Sequence, residues 1–193
     1  MTPRWLQANA EFHSARVSTI NDTAVSFGAA GAGNVYARLF TVPLLPPNTL
    51  KPDKAYLVRI VINQVPVGAD NDPVFGITDG THFVGIMKND EANADAALST
   101  MGQYGNNLTS VAATSLGGPG QNAQNFEALL RLGPAVGGKT PVFFGSRVGT
   151  LAGRYQAVSA IDPTRSISFT VFANDPNESY TFQSFEVTIE REG

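Results

Sequence analysis

The chain has 193 residues, a formal net charge of −3 and no cysteine, so disulfides, thiol catalysis and cysteine-ligated metals are excluded. Its thirteen Lys and Arg are scattered without a basic run, which argues against nucleic acid as a partner. Only 15% of residues are charged, leaving a surface of Asn, Gln, Ser, Thr and Gly that tolerates neutral polymers and copies of itself.

The length predicts one domain over residues 1–193. No apolar run is long enough to span a membrane as a helix, and Met1 to Leu6 lacks the apolar core of a signal peptide. Nineteen glycines and twelve prolines suit many strands joined by turns.

Strand-like segments begin at Val17 to Ile20, Ala24 to Phe27 and Val35 to Val42. Ala55 to Asn63 alternates: Tyr56, Val58, Ile60 and Ile62 share one face, and Leu57, Arg59, Val61 and Asn63 the other. An acidic stretch, Asp70-Asn71-Asp72-Pro73, leads into Val74 to Ile77. Thr78-Asp79-Gly80-Thr81 then joins that run to Phe83 to Met87. Asp-Gly between strand-like runs predicts a hairpin with a type I′ turn, in which both central residues take positive φ.

Asn89 to Met101, with its alanines, predicts a short helix, and Asn106 to Asn125 reads as a long loop. Loops of that length are commonly functional. Further strands are expected at Phe126 to Leu132, Val142 to Ser146, Tyr155 to Ala160, Ser166 to Ala173 and Tyr180 to Ile189. In the last, Phe185, Val187 and Ile189 face inward and Glu186, Thr188 and Glu190 outward. Asn-Asp pairs at 21–22, 71–72, 89–90 and 174–175 supply turns. About ten strands at this spacing predict an all-β chain, an antiparallel β-sandwich of jelly-roll type with at most short helices.

Few patterns carry chemistry. Gly133 to Thr140 matches the phosphate-binding loop, G-x-x-x-x-G-K-T. That mechanism needs a helix starting at the lysine; here Pro141 disfavours helix at Thr140 and strand-like residues follow, so a Gly-rich hairpin loop is the reading. Asp70, Asp72 and Asp79 form a candidate calcium site, with Asn71 and backbone carbonyls nearby; the alternative is a capped turn. Calcium is an optional ion in this reading and no cofactor is required. Asn89, Asp90, Glu91 and Asp95 form a second acidic group, equally suited to the first turn of a helix.

No pair of glutamates shares an apolar strand face as a glycosidase would need; Glu186 and Glu190 face outward. Of the two histidines, His13 and His82, the latter reads as a surface strand residue. Gly-x-Ser-x-Gly and His-Glu-x-x-His are absent. Three glycosylation sequons, at Asn21, Asn107 and Asn177, are near chance for this composition. Tyr104, beside the long Gly/Asn loop, is the aromatic placed to stack on a sugar.

Three pieces carry a family resemblance: Val35-Tyr-Ala-Arg-Leu-Phe, the hairpin Asp72 to Ile86, and Tyr180-Thr-Phe-Gln-Ser-Phe-Glu-Val-Thr-Ile. Their order resembles the concanavalin A-like lectin/glucanase sandwiches, including laminin-G-like and SPRY-like modules. The resemblance implies a jelly roll that binds ligands through loops or its concave sheet. The Glu-x-Asp-x-x-Glu strand of the glucanases is absent, as are the His-Asn-Pro-Arg and Trp-Gly signatures of galectins.

The expected function is therefore a non-enzymatic binding module for a glycan or extracellular matrix polymer, placed outside the cell. Its expected rim is one end of the sandwich, from the loops Asp70 to Pro73, Thr78 to Thr81 and Asn89 to Asn107, with Asp70, Asn71, Asp72, Asp79, Asn89, Asp90, Tyr104 and Asn106 as ligand-binding residues. A self-assembling structural protein, pairing through Val35 to Val42 or Val142 to Ser146 as edge strands, is the alternative. A polysaccharide-active hydrolase is the third class.

Overall fold

The computed structural model describes residues 1–13, 17–28, 37–65, 73–87, 95–100, 111–117, 125–136, 140–148, 150–159, 161–173 and 179–193. It is an antiparallel β-sandwich with one short helix among the described residues. The helix, α1 (Pro3–Asn9), starts where Thr2 accepts a hydrogen bond from the Trp5 N–H and Pro3 takes the first helical position, the place where a missing N–H costs nothing.

The strands in chain order are β1 (Glu11–Phe12), β2 (Val17–Ile20), β3 (Val25–Phe27), β4 (Ala37–Leu45), β5 (Tyr56–Val65), β6 (Pro73–Thr78), β7 (Phe83–Met87), β8 (Asp95–Thr100), β9 (Val111–Gly117), β10 (Asn125–Leu132), β11 (Thr140–Val148), β12 (Thr150–Ser159), β13 (Ile167–Ala173) and β14 (Tyr180–Arg191). The front sheet runs β1-β4-β13-β6-β7-β8-β9 and the back sheet β12-β11-β10-β5-β14-β3-β2, every neighbour antiparallel.

Period-two patterning places the core between the sheets. From the front come Phe40, Val42, Phe75, Ile77, Val84, Ile86, Phe169 and Val171; from the back come Phe27, Val58, Ile60, Ile62, Leu130, Phe182 and Phe185. Rings dominate its centre. Phe40 meets Phe185 edge-on at 5.2 Å and stacks with Phe27 at 5.9 Å, geometries that suit the ring quadrupole.

The opposite face of the front sheet is also buried at β6, β7 and β13. Val74, Phe83, Thr170 and Phe172 are all buried, and Phe83 meets Phe172 edge-on at 5.2 Å. Between these side chains Gly76 and Gly85 pair across β6 and β7. A Cβ at Gly76 would stand 2.1 Å from the Val84 carbonyl oxygen, so this close approach requires glycine.

Four expectations change. Asp95–Thr100 is strand, not helix: it pairs with both β7 and β9, and ladder hydrogen bonds on two sides override the helix propensity of its alanines. Val111–Gly117, expected within a loop, is the strand β9 that pairs with it. Val142 to Ser146 is not an edge, since β11 lies between β10 and β12. Nor is β4, which lies between β1 and β13 and carries Pro43 and Arg38 where β1 no longer pairs with it. The Gly133 to Thr140 segment joins strand to strand, as a hairpin connection does; residues 137–139 lie outside the described residues.

Candidate functional site

Each antiparallel strand carries the chain from one end of the sandwich to the other. Thr78, Phe83, Leu45, Tyr56, Leu132 and Ile167 therefore share one end, and Pro73 and Met87 lie at the other. The connections that meet at the first end are the ones the structure ties together.

Asp79 is their centre. It follows β6 and its side chain is 0% exposed. Oδ1 accepts the N–H groups of Thr81 at 2.8 Å and His82 at 2.7 Å. Oδ2 accepts the N–H of Asp162 at 2.9 Å and faces Nδ1 of His82 at 3.2 Å. Burial pushes this carboxyl up; the N–H groups of Asp162, His82 and Thr81 and the His82 ring pull it down further, and the net direction is below the ordinary carboxylate value. An ionised Asp79 can only accept, so His82 carries a hydrogen on Nδ1.

Neighbouring contacts stiffen the frame. Thr78 Oγ1 donates to the His82 carbonyl at 2.6 Å and accepts from the Gly80 N–H at 3.0 Å. Arg165 donates from its guanidinium to Thr81 Oγ1. Asp162 Oδ1 accepts from the N–H and hydroxyl of Thr164 at 2.9 and 2.7 Å. Asn48, in a left-handed conformation at φ 63°, donates its N–H to the Thr164 carbonyl at 2.7 Å, and Ala135 donates to the Pro52 carbonyl at 2.6 Å. Four chain segments distant in sequence, at 48–52, 78–83, 135 and 162–165, are thus joined, and two of them carry His82, Thr81 and Arg165.

The hairpin is present, with a different turn. Four residues, Asp79 to His82, connect Thr78 to its register partner Phe83, and Asp79 N–H donates to the His82 carbonyl at 3.3 Å. Only Gly80 takes positive φ, 85°; the Asp79 side chain closes the turn instead of a type I′ backbone. His82 belongs to this turn and is half-buried, not a strand residue.

Of the other candidate residues, Asp70, Asn71, Asp72, Asn89, Asp90, Tyr104 and Asn106 lie outside the described residues. The strands that flank them divide them. Pro73, to which Asp72 is joined, and Asp79 stand at opposite ends of β6, whose six residues span about 17 Å. A calcium ion holds its oxygens at about 2.3–2.6 Å, whereas both Asp79 oxygens are already engaged by protein donors. Among the described residues no three His, Asp or Glu side chains gather around a common point. Met87 precedes Asn89 at the Pro73 end, whereas Thr100 and Val111, which flank Tyr104 and Asn106, pair with each other at the Asp79 end. The described strand ends next to these residues thus fall at both ends of the sandwich. Asp162, Thr164, Arg165 and Asn48 were not among the expected residues; the Asp-Pro-Thr turn at 162–164 is their one sequence signal.

No protein-family model and no curated protein sequence matches the chain. Solved structures do. A legume lectin-like domain from Entamoeba histolytica is similar over 97% of this chain and 93% of its own, with a TM-score of 0.52 and 13% identity. The exoplasmic/lumenal domain of VIP36, in its Ca2+/Man3GlcNAc-bound form, is similar over 97% and 86%, at 0.52 and 9%. An alginate lyase from Pseudomonas aeruginosa covers 97% and 91%, at 0.50 and 11%. The chain folds as a concanavalin A-like jelly roll. At these identities the likeness concerns the fold; lectins and a lyase share it, so chemistry has to be argued from the site.

Proposed function

We propose that this jelly roll is a non-enzymatic module that binds a glycan at the end built around Asp79. The observation that carries the reading is the Asp79 carboxylate, buried and held by donors from two distant turns. It fixes His82, Thr81 and Arg165 before any ligand arrives, and pre-organisation of this kind lowers the cost of binding. The His82 ring, the Thr81 hydroxyl and the guanidinium of Arg165 offer polar groups of the kind that sugar hydroxyls take. Tyr104 and Asn106, in the connection between β8 and β9, are proposed to complete the rim. Two of the similar structures are named as lectin-like or carry a bound oligosaccharide, which supports the class, and the exoplasmic/lumenal origin of one supports a place outside the cytosol.

A broad glycan array, run in calcium and in EDTA, tests this. Binding is expected, with Arg165→Ala and His82→Ala weakening it at least tenfold while the fold survives. An array without a hit, or hits untouched by both substitutions, would overturn the site.

One observation favours the assembly reading as a second. β12 is an edge strand of ten residues with a single charge, Arg154, and no proline, the features that leave an edge open to pairing. Light scattering at micromolar concentration decides it: a dimer or larger species is expected if β12 pairs between copies, and a particle of about 20 kDa at every concentration and salt rejects pairing.

A further inference from the structure

Residues 1–13 cross the open side of the sandwich as a strap. The Met1 ammonium donates to the Phe185 carbonyl, and the Phe185 N–H returns a bond to the Met1 carbonyl at 3.0 Å. Leu6 enters the core, Arg4 forks onto the Asp22 carboxylate, and α1 touches β2 of the back sheet and β4 of the front. The strap ends on β4, where Glu11 pairs with Thr41, Phe12 with Phe40, and the His13 N–H donates to the Leu39 carbonyl at 3.0 Å.

The His13 ring is an unusual terminus for such a strap. Its side chain is 9% exposed, and Nε2 is buried without a hydrogen-bond partner among the described residues. Nδ1 lies 3.4 Å from the carboxylate of Glu11, whose side chain is 76% exposed. The charged group facing it from β4 is Arg38. The sequences of β2, β3 and β13 carry no titratable side chain, and the one charge of α1, Arg4, is engaged with Asp22.

We propose that the strap is a pH-sensitive latch: a proton on His13 releases residues 1–13 from β4 and β14 while the rest of both sheets stays folded. The neutral ring fits its place; a second N–H on Nε2 has no acceptor among the described residues, and its charge sits beside the Arg38 guanidinium where water is excluded. Burial and Arg38 both hold the imidazole below its ordinary value, against a smaller upward pull from Glu11. The sign follows. The released strap binds a proton near pH 6.5 and the docked strap binds it only at lower pH, so docking is full above 6.5 and weakens as pH falls below it. The strap is held at the sheet edge by the two residues of β1, by Leu6 and Phe12 against the core, by the Arg4–Asp22 fork and by single backbone bonds, and an edge segment of this kind can open below the global unfolding free energy.

The lone tryptophan of the chain, Trp5, lies in the strap and is 40% exposed, so its fluorescence reports the strap directly. Between pH 8 and pH 5, acrylamide quenching of Trp5 and exchange of the Phe185 amide are expected to rise severalfold together, with a midpoint below pH 6.5 and the strand signal of the far-UV spectrum retained. His13→Gln, which cannot titrate, is expected to abolish both changes. Should that variant not fold, nuclear magnetic resonance of the wild-type histidine rings, assigned with His82→Gln, supplies the test: the His13 ring must titrate at the Trp5 midpoint. Quenching and exchange that stay flat to pH 5, that persist in His13→Gln, or that follow a midpoint other than that of the His13 ring overturn the latch.

Discussion

The backbone N–H of Asp162 donates to the carboxylate of Asp79 at 2.9 Å, joining two turns 83 residues apart in the chain. That bond makes Asp79 a staple between the β6–β7 turn and the segment that leads into β13. Asp79→Asn keeps the volume and removes the charge, and its amide group then meets N–H donors where a carboxylate oxygen stood. Hydrogen bonds to a buried charge contribute about 1.5–3 kcal/mol each and are costly to leave half-made. The expected loss is about 3 kcal/mol, read as a lower urea midpoint at unchanged m-value. A loss under about 1 kcal/mol would mean that the two turns hold each other by other means.

The same carboxylate sets an acid limit. Its native value lies below the ordinary range, so the unfolded chain takes up the proton first as pH falls. The stabilisation is complete above about pH 3.9, the unfolded value, and is lost as pH drops through the native one. The gap in stability between wild type and Asp79→Asn should therefore be constant from pH 7 to about pH 5 and close below about pH 4. Urea titrations of both proteins at pH 7, 5 and 3 check this; a gap that is unchanged at pH 3 contradicts it.

Calcium gives a third expectation. With both Asp79 oxygens engaged by protein donors, an ion held by that residue would first have to break the staple. Melting curves of the wild type in millimolar calcium and in EDTA are expected to differ no more than those of Asp79→Asn. A calcium-dependent rise in Tm that the substitution removes would place an ion at Asp79 after all, since binding to the native state alone stabilises it by mass action.

The sequence disclosed the sandwich because period two is visible wherever one face is wet: Tyr56, Val58, Ile60 and Ile62 were legible as core, and all are buried. It concealed β8, because the alanines of Asp95–Thr100 suit a helix and only pairing to β7 and β9 makes them strand. For α1 the sequence carries a plain signal, Thr2 before Pro3, an N-cap followed by a proline at the first helical position. The site was half legible. Asp79 stood out by its Asp-Gly turn, yet its partner Asp162 is 83 residues away, and no local pattern encodes that meeting. Of the expected calcium group only Asp79 lies among the described residues.

The glycines give a graded test of how closely β6 and β7 approach. A methyl group at Gly28 meets nothing within 4 Å, so Gly28→Ala should leave the urea midpoint nearly unchanged. At Gly80 there is equal space, but φ is +85°, and a side chain there costs about 1–2 kcal/mol of backbone strain. At Gly76 the methyl carbon would stand 2.1 Å from the Val84 carbonyl oxygen and 2.4 Å from the Gly85 Cα. Both are backbone atoms in a central pair of the front sheet, so relief requires the strands to separate beneath Phe83 and Phe172. Overpacking in a core costs about 1–3 kcal/mol even where side chains can yield, and here they cannot. Gly76→Ala is therefore expected to lose at least about 3 kcal/mol. The order of urea midpoints should be Gly28→Ala above Gly80→Ala above Gly76→Ala, and a Gly76→Ala protein as stable as Gly80→Ala would show that β6 and β7 do not pack this closely in solution.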